Sequence, residues 1–259
     1  MYVTEWSNPR VTLWGVGMTS GRVVAGGNEW GSLVNQLANP RDVIVDKERD
    51  SIIICDRSNR RVVRWPRRNG ESGETIISNI DCWSLTMDEN GDLYVSDDQR
   101  HDVRQYRRGD TQGNVVAGGN GAGDRLDQLF SPSYVFVDRD RSVYVSDRNN
   151  HRVMKWETGA QQGILVAGGG GQGNALTQLY LPEGLVVDQS GTVYVTDFAN
   201  HRIMRWIEGA TQGTDIVGVN GAGSQSNQLN SPVGLCFDRL GNLMSAIWVT
   251  IEYKNSIYP

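Results

Sequence analysis

The chain has 259 residues, which is enough for one large all-β domain or two smaller ones and for a substantial buried core. Its net charge of −5 gives no general attraction to nucleic acids or membrane surfaces, and no stretch approaches the ~18 apolar residues of a membrane-spanning helix. We therefore expect a soluble protein, and the sequence before the first repeat shows no signal peptide, so the compartment stays open.

Four short strands are predicted in each repeat unit, always in the same order. The first is almost wholly apolar, as in YVFVD and GLVVD, which is typical of a strand covered on both faces. A tight turn leads to the second strand, such as VYVSD, which is rich in β-branched and aromatic residues. The third, HRVMKW, alternates in polarity and reads as half exposed, and the fourth, ILVAGG, ends in glycines that open a Gly-rich insert.

The units repeat with a regular period along the chain. The aspartate that ends the first strand recurs at Asp46, Asp88, Asp138, Asp188 and Asp238, with spacings of 42, 50, 50 and 50 residues. The first spacing is shorter because the segment before Trp83 lacks the Gly-rich insert. We predict a single domain over residues 1–259, with repeats near 2–25, 37–78, 80–118, 129–168, 179–218 and 229–259.

Such units bury both faces of each sheet by stacking around an axis, so the sequence predicts an all-β fold, a β-propeller of four-stranded blades. Residues 2–14 align with strands 2 to 4 of a unit, and residues 233–238 supply a first strand. Joining them would close a ring of five blades, with the strand near Val11 in one sheet with the strand near Leu235. The alternative is an incomplete six-bladed propeller. The tail 244–259 departs from the repeat and would compete with residues 2–4 for the second-strand position.

The motif Asp-x-x-Asn-His-Arg-Val, which follows Val-Tyr-Val-Ser/Thr, resembles the NHL repeat. Residues 138–156 and 188–206 match it at almost every position, whereas the first and second units carry residues 59–61 (Asn-Arg-Arg) and 100–102 (Arg-His-Asp) instead. The resemblance implies a β-propeller. It also implies two functions found among similar propellers, namely RNA binding through a positive face and lyase chemistry with zinc or calcium.

The repeated Asn-His-Arg triplet is interpreted first as a structural element. Asp147 and Asp197 end the second strand, and the Asn and Arg three and five residues later can bond this carboxylate and the loop backbone. A metal site formed by His101, His151 and His201 is the disfavoured alternative, because equivalent positions on successive blades diverge around the ring. The sequence thus predicts no metal and no cofactor.

No local motif for a nucleophile is present, so we predict no catalytic residues and regard an enzymatic function as the less favoured interpretation. A metal-dependent enzyme of the lactonase or lyase type, with its metal in the axial channel, remains an alternative. Cys55, Cys82 and Cys236 show no metal-type spacing, and their odd number argues against a complete disulfide framework. We expect them to be small buried hydrophobic residues.

Arginines are concentrated in the first two units of an otherwise acidic chain. This basic sector predicts either a solvated outer edge or an RNA-binding surface, and Arg60, Arg61, Arg64 and Arg68 are expected to be largely solvated. The candidate RNA-binding residues are Arg57, Arg60, Arg61, Arg64, Arg68, Arg100 and Arg104.

The preferred function is a non-enzymatic interaction module that binds a partner protein. Propeller geometry places the loops between strands 2 and 3 and the loops between strand 4 and the next blade on one face, and loops commonly carry function. The candidate partner-binding residues on this face are Arg41, Arg57, Ser58, Asp98, Tyr134, Arg148, Asn149, Glu183 and Phe198.

Overall fold

The computed structural model describes residues 1–15, 17–68, 70–238 and 240–247, and the predicted all-β propeller with five blade positions is confirmed. The predicted tail beyond residue 247 lies outside the described residues.

Four blades are complete four-stranded antiparallel sheets. Blade 1 contains β4 (Pro40–Asp46), β5 (Ser51–Asp56), β6 (Arg61–Pro66) and β7 (Glu74–Ser78), and blade 2 contains β8 (Cys82–Met87), β9 (Leu93–Asp97), β10 (Asp102–Tyr106) and β11 (Asn114–Gly118). Blade 3 contains β12 (Val135–Val137), β13 (Val143–Asp147), β14 (Arg152–Trp156) and β15 (Ile164–Gly168), and blade 4 contains β16 (Pro182–Val187), β17 (Val193–Asp197), β18 (Arg202–Trp206) and β19 (Thr214–Val217).

The fifth blade position is divided between the two ends of the chain. Residues near the N-terminus form a three-stranded sheet of β1 (Tyr2–Glu5), β2 (Arg10–Leu13) and β3 (Arg22–Gly26), and β20 (Pro232–Phe237) pairs with β21 (Leu243–Ile247). The two terminal sheets lie near each other: desolvation raises the pKa of the Cys236 thiol, and the ammonium group of Met1 is close enough to act in the opposite direction.

The pairing inside this fifth position differs from the predicted one. We expected the strand near Val11 to share a sheet with the strand near Leu235, but these residues lie in separate sheets. The cause is β21, which pairs with β20 from Phe237 and Leu243 onward and so takes the second-strand position that β1 was expected to fill.

The core lies between the blades, because the apolar faces of neighbouring sheets pack against each other. The cluster between blades 2 and 3 joins Val103 and Ala117 of blade 2 to Met154 and Trp156 of blade 3, all buried. The alternation seen in HRVMKW explains this arrangement, since Arg152, Met154 and Trp156 all point toward the preceding blade.

Each first strand begins, and each second strand ends, at the same end of the ring, as the pairing of Pro182 with Asp197 shows. We call this end the upper face. It carries the loops between strands 2 and 3, three of which contain short 3₁₀ turns (Arg57–Asn59, Arg148–Asn150 and Phe198–Asn200). The lower face carries the turns between strands 1 and 2 and between strands 3 and 4.

Hydroxyl groups on the second strands tie each blade to the next. Ser96 Oγ donates to the carbonyl of Ser133 at 2.6 Å, and Ser146 Oγ donates to the carbonyl of Glu183 at 2.6 Å. The same position in β1 is Thr4, which bonds the carbonyl of the next first strand at 3.1 Å. One repeated contact therefore closes successive seams between blades.

The seam between blades 1 and 2 is closed differently, because Cys55 occupies the hydroxyl position and forms a disulfide with Cys82 of β8. The expectation that all three cysteines are small buried hydrophobic residues is wrong for this pair, which is bonded, and for Cys236, which is exposed. An odd cysteine count does not prevent one pair from meeting across a seam when both strands place it there.

Among the described residues, no helix has both the length and the apolar character needed to cross a membrane.

Candidate functional site

In blades 1, 3 and 4 the triplet forms a clamp around the buried aspartate that ends the second strand. In blade 3, Asp147 is fully buried and accepts from the side chains of Asn150 at 2.8 Å and Arg152 at 2.7 Å, and from the backbone N–H of Phe130 at 2.7 Å. Blade 4 repeats the arrangement around Asp197. These contacts agree with the structural interpretation of the motif.

The other ends of the clamp hold the Gly-rich insert that enters the blade. Asn150 donates to the carbonyl of Gly123 at 2.7 Å, and Arg152 donates to the carbonyls of Asp124, Arg125 and Gln128 at 2.7–3.2 Å. Burial raises the pKa of the Asp147 carboxyl, while the donors around it act in the opposite direction. The buried charge is thus stabilised by groups that also fix the loop.

The histidine of the triplet accepts a hydrogen bond from the segment that enters the following blade, and not from its own blade. His151 Nδ1 accepts from the backbone N–H of Leu181 at 3.2 Å, and His101 and His201 make the same contact with Ser131 and Ser231 at 3.1 Å. The three histidines are therefore distributed over three different seams. The residues that the structure describes include no group of three or more His, Cys, Asp or Glu side chains that could hold a metal ion.

The Gly-rich inserts do not project from the upper face. The carbonyls of Val34, Leu126 and Leu176 accept from the N–H groups of Gly73, Gly163 and Gly213, which lie just before the fourth strands and thus near the lower face. These three inserts therefore run down toward the lower ends of the blades, and the last leucine of every insert (Leu37, Leu129, Leu179 or Leu229) is buried. The inserts fill the spaces between blades and contribute less to the upper face than their length suggested.

Blade 2 shows what happens without an insert. Here Asp102 stands where the clamp has arginine, and Arg104 donates to it at 2.7 Å, so the arginine that would bind insert carbonyls is missing together with the insert. This is also the blade that Cys82 links to blade 1. The departures from the motif in this unit therefore belong to one structural change.

A second set of residues gathers around the propeller axis at the upper face, and it differs from blade to blade. The second residue of the first strand is Arg41, Trp83, Glu183 and Val233 in blades 1, 2, 4 and the fifth position, and Ser133 is the equivalent residue before β12 in blade 3. The residue after the aspartate that ends each second strand is Arg57, Asp98, Arg148 and Phe198 in blades 1 to 4.

Trp83 lies at the centre of this set. The guanidinium carbons of Arg41 and Arg57 each lie 4.6 Å from the centroid of its ring, and that of Arg148 lies at 5.7 Å. Three cations from two blades therefore surround one aromatic ring, an arrangement that its quadrupole favours. We call Arg41, Arg57, Trp83, Asp98, Arg148 and Glu183 the axial cluster.

The acidic members of the axial cluster bind the cations across blades. Arg57 Nη2 lies 2.7 Å from Asp98 Oδ2, and Arg148 Nε lies 2.7 Å from Glu183 Oε1. The other carboxylate oxygen of Glu183 accepts from the indole N–H of Trp83 at 3.1 Å. Burial raises the pKa of the Glu183 carboxyl, and Arg148 acts in the opposite direction.

A second polar layer lies one residue further along the first strands. Asp42 accepts from Ser84 Oγ at 2.7 Å and from the N–H of Leu85 at 3.0 Å, and burial raises the pKa of its carboxyl. Burial, Asp42 and Glu183 together hold the pKa of Tyr134 well above its usual value. This layer forms the floor beneath the axial cluster.

Of the nine candidate partner-binding residues, the structure brings Arg41, Arg57, Asp98, Arg148 and Glu183 together in the axial cluster, with Tyr134 beneath it. Ser58, Asn149 and Phe198 lie on the surrounding loops of the upper face. Sequence reasoning missed Trp83, although it stands where the other units have Arg, Ser, Glu or Val, and that departure was the available signal.

The arginines of the basic sector do not form a free positive surface. All seven candidate RNA-binding arginines lie within 4 Å of a carboxylate, and the side chains of Arg61 and Arg64 are only 12% and 22% exposed, so the expectation of solvation is wrong for both. Their partners are Asp98, Asp81, Asp56, Glu74, Asp50, Asp97 and Asp102 in the order of the arginines.

Comparison with known proteins agrees with this fold. The NHL repeat family model matches residues 179–205, and the search of curated proteins finds no match to the chain. A Bacteroides thetaiotaomicron protein of unknown function is similar in structure, with a TM-score of 0.71 and 18% identity, over 95% of this chain and 63% of its own length. A chain in a nidogen/laminin complex has a TM-score of 0.69 and 16% identity, over 95% of this chain and 84% of its own length. A Xanthomonas campestris gluconolactonase has a TM-score of 0.63 and 16% identity, over 80% of this chain and 69% of its own length. The chain thus spans less than two thirds of the first of these proteins, and at these identities the likeness extends to the fold alone.

Proposed function

We propose that the protein is a non-enzymatic interaction module that binds a partner protein through the upper face of its propeller, with the axial cluster at the centre of the contact. The observation that carries this proposal is the pattern of variation. Positions that hold the blades together repeat from unit to unit, whereas Arg41, Trp83 and Glu183 occupy one equivalent position with three unrelated side chains. Residues that differ in each blade give a pseudosymmetric ring a single, asymmetric surface.

The composition of this surface fits protein recognition. Arginine and aromatic side chains are enriched at the centres of protein interfaces, and the axial cluster contains three arginines around one tryptophan. Phe130 on the same face is 40% exposed, and the N–H of Asn149 donates to its carbonyl, so it adjoins the strand 2–3 loop of blade 3. The structurally similar chain of a nidogen/laminin complex belongs to a protein–protein assembly.

The other two functions receive less support from the residues present. Metal-dependent hydrolysis needs a set of convergent donors, and the described residues do not offer one. Binding to RNA needs unneutralised cations, and the arginines of the basic sector are paired with carboxylates. We therefore favour a protein partner.

The test compares two pairs of exposed apolar residues on opposite faces. Trp6→Ala with Phe130→Ala removes apolar surface from the upper face, and Ile207→Ala with Leu240→Ala removes it from the lower face, where these residues are also exposed. Partners captured by the unmodified protein would be identified by mass spectrometry, purified and titrated against both variants.

We expect the upper-face variant to lose about tenfold or more in affinity, because truncating interface aromatics typically has effects of this size. The lower-face variant should bind as the unmodified protein does. A partner whose affinity falls only with the lower-face variant would contradict the proposal.

A further inference from the structure

The ion pair between Arg57 and Asp98 in the axial cluster has two polar atoms with no hydrogen-bond partner among the described residues. They are Arg57 Nη1 and Asp98 Oδ1, and both are buried. The pair itself is made by the neighbouring atoms, Arg57 Nη2 and Asp98 Oδ2, at 2.7 Å. One donor and one acceptor of the same ion pair thus remain open.

The groups around this ion pair are already engaged. Both carboxylate oxygens of Glu183 are used, one by Arg148 and one by Trp83, whose indole N–H has no further hydrogen to donate. Asp98 is 5% exposed, and the side chain of Arg57 is 19% exposed above the ring of Trp83. Buried polar groups normally find partners, so the two open atoms call for a partner that the described residues do not supply.

The chemistry of that group follows from the two open atoms. It must accept from Arg57 and donate to Asp98 at the same time. A carboxamide does both through two separate atoms, its carbonyl oxygen and its NH₂ group, whereas a hydroxyl has a single oxygen for both contacts. A carboxylate accepts only and would meet the like charge of Asp98, and an ammonium group donates only and would meet Arg57.

The chain itself places carboxamides on this cluster. Gln99 Nε2 donates to Asp98 Oδ2 at 3.2 Å, and Asn149 Oδ1 accepts from Arg148 Nη1 at 3.3 Å. Both side chains come from the loops of the upper face. A carboxamide from outside would therefore add to contacts of a kind that already surround the cluster.

We infer that, given the proposed binding of a partner protein at the upper face, the partner inserts an Asn or Gln side chain whose carboxamide binds Arg57 and Asp98 together. The carbonyl oxygen accepts from Arg57 Nη1, and the NH₂ group donates to Asp98 Oδ1. The atoms lie below the surface, so the side chain enters beside the partly exposed Arg57 guanidinium.

Three small molecules test this inference on the unmodified protein: acetamide, N,N-dimethylacetamide and acetate, at constant ionic strength. The readout is the NMR signal of the Trp83 indole N–H, assigned with Trp83→Phe. Acetamide should shift this signal saturably, and the other two should bind several-fold more weakly, because dimethylacetamide cannot donate and acetate carries a negative charge. Equal binding of either comparison molecule, or no saturable shift with acetamide, would overturn the inference.

A pair of variants locates the binding. Asp98→Leu should remove the response to acetamide, and Asp127→Leu, which removes the acid of a similar but exposed ion pair with Arg125, should leave it unchanged. If acetamide gives no saturable shift while the affinity of captured partners still falls in the Trp6 and Phe130 variant, the carboxamide inference is wrong and the proposed function stands. If acetamide binds while the affinity of those partners is unchanged in the upper-face variant, the proposed function is wrong instead.

Discussion

The Asp–Asn–Arg clamps and the axial cluster both pair arginine with buried carboxylate, but they vary in opposite ways around the ring. Blades 3 and 4 use the same clamp with the same 2.7 Å contact between Arg and Asp. At the axis, Arg148 of blade 3 is matched by Phe198 in blade 4 and by Asp98 in blade 2. An arginine–carboxylate pair can thus belong to the scaffold in one region and to a candidate recognition surface in another. Whether the residues repeat or vary between units distinguishes these two roles.

The largest expected effect comes from removing the acid of one clamp. Asp197→Ala leaves Arg202, Asn200 and the N–H of Tyr180 without their shared acceptor. Breaking a buried ion pair in this way should cost about 3–5 kcal/mol of unfolding free energy, measured by urea denaturation. Asp124→Ala, an exposed acid on an insert, should change it by less than about 0.5 kcal/mol.

This variant also sharpens the comparison between the two regions. Under conditions where Asp197→Ala remains folded, its response to acetamide should equal that of the unmodified protein, because the clamp does not touch the axial cluster. Loss of that response with unchanged stability would show that the clamp is a site and not a scaffold.

The second prediction compares the disulfide seam with the hydroxyl seams. Cys55→Ser gives blade 1 the side chain that blades 2 and 3 carry at this position, and it removes a cross-link that spans 27 residues. The free energy of unfolding should fall by about 2–4 kcal/mol under oxidising conditions. Reductant should lower the melting temperature of the unmodified protein but not that of the variant, and a reductant effect on both would contradict this assignment.

The third prediction concerns pH and the seam between blades 3 and 4. Burial, together with Arg148, lowers the pKa of His151 below its ordinary value of 6.5, so the folded protein favours the neutral ring that accepts from Leu181. The unfolded chain takes up the proton more readily, and stability should therefore be full above pH 6.5 and decrease as the pH falls below it.

His151→Asn is the matched variant for this titration. Its carboxamide oxygen keeps an acceptor, and asparagine tolerates the left-handed backbone at this position (φ 56°). Between pH 5 and 6.5 the variant should lose less stability than the unmodified protein in urea titrations. Parallel curves would show that the histidine seam does not sense protons.

The smallest effect is expected at the arginine that replaces the motif histidine in blade 1. Arg60 is more than half exposed and pairs with Asp81 at 3.0 Å, so Arg60→Ala should cost about 0.2–1 kcal/mol, less at high salt. Its neighbour Arg61 is largely buried against Asp56 and carries the clamp. A larger loss at Arg60 would mean that the motif position, and not its burial, determines stability.

Sequence reasoning reached the propeller and the role of the triplet because both depend on local, repeated patterns. It grouped five residues of the axial cluster because loop positions in a propeller follow from strand order. It missed the bond between Cys55 and Cys82, which depends on how two blades face each other and not on spacing along the chain. It also overestimated the inserts as surface loops, because the glycines that permit turns do not reveal that Leu126 and Leu176 approach the lower end of the blade.

The divided fifth blade has a mechanical consequence. In blades 1 to 4 the first and last strands are joined by a continuous antiparallel ladder. Among the described strands, β1 is paired with neither β20 nor β21. A tensile force across the fifth position therefore meets no row of backbone hydrogen bonds between the described strands of the two terminal sheets. Under an applied force the propeller should open at the fifth position first, while the strands within each complete blade remain hydrogen-bonded.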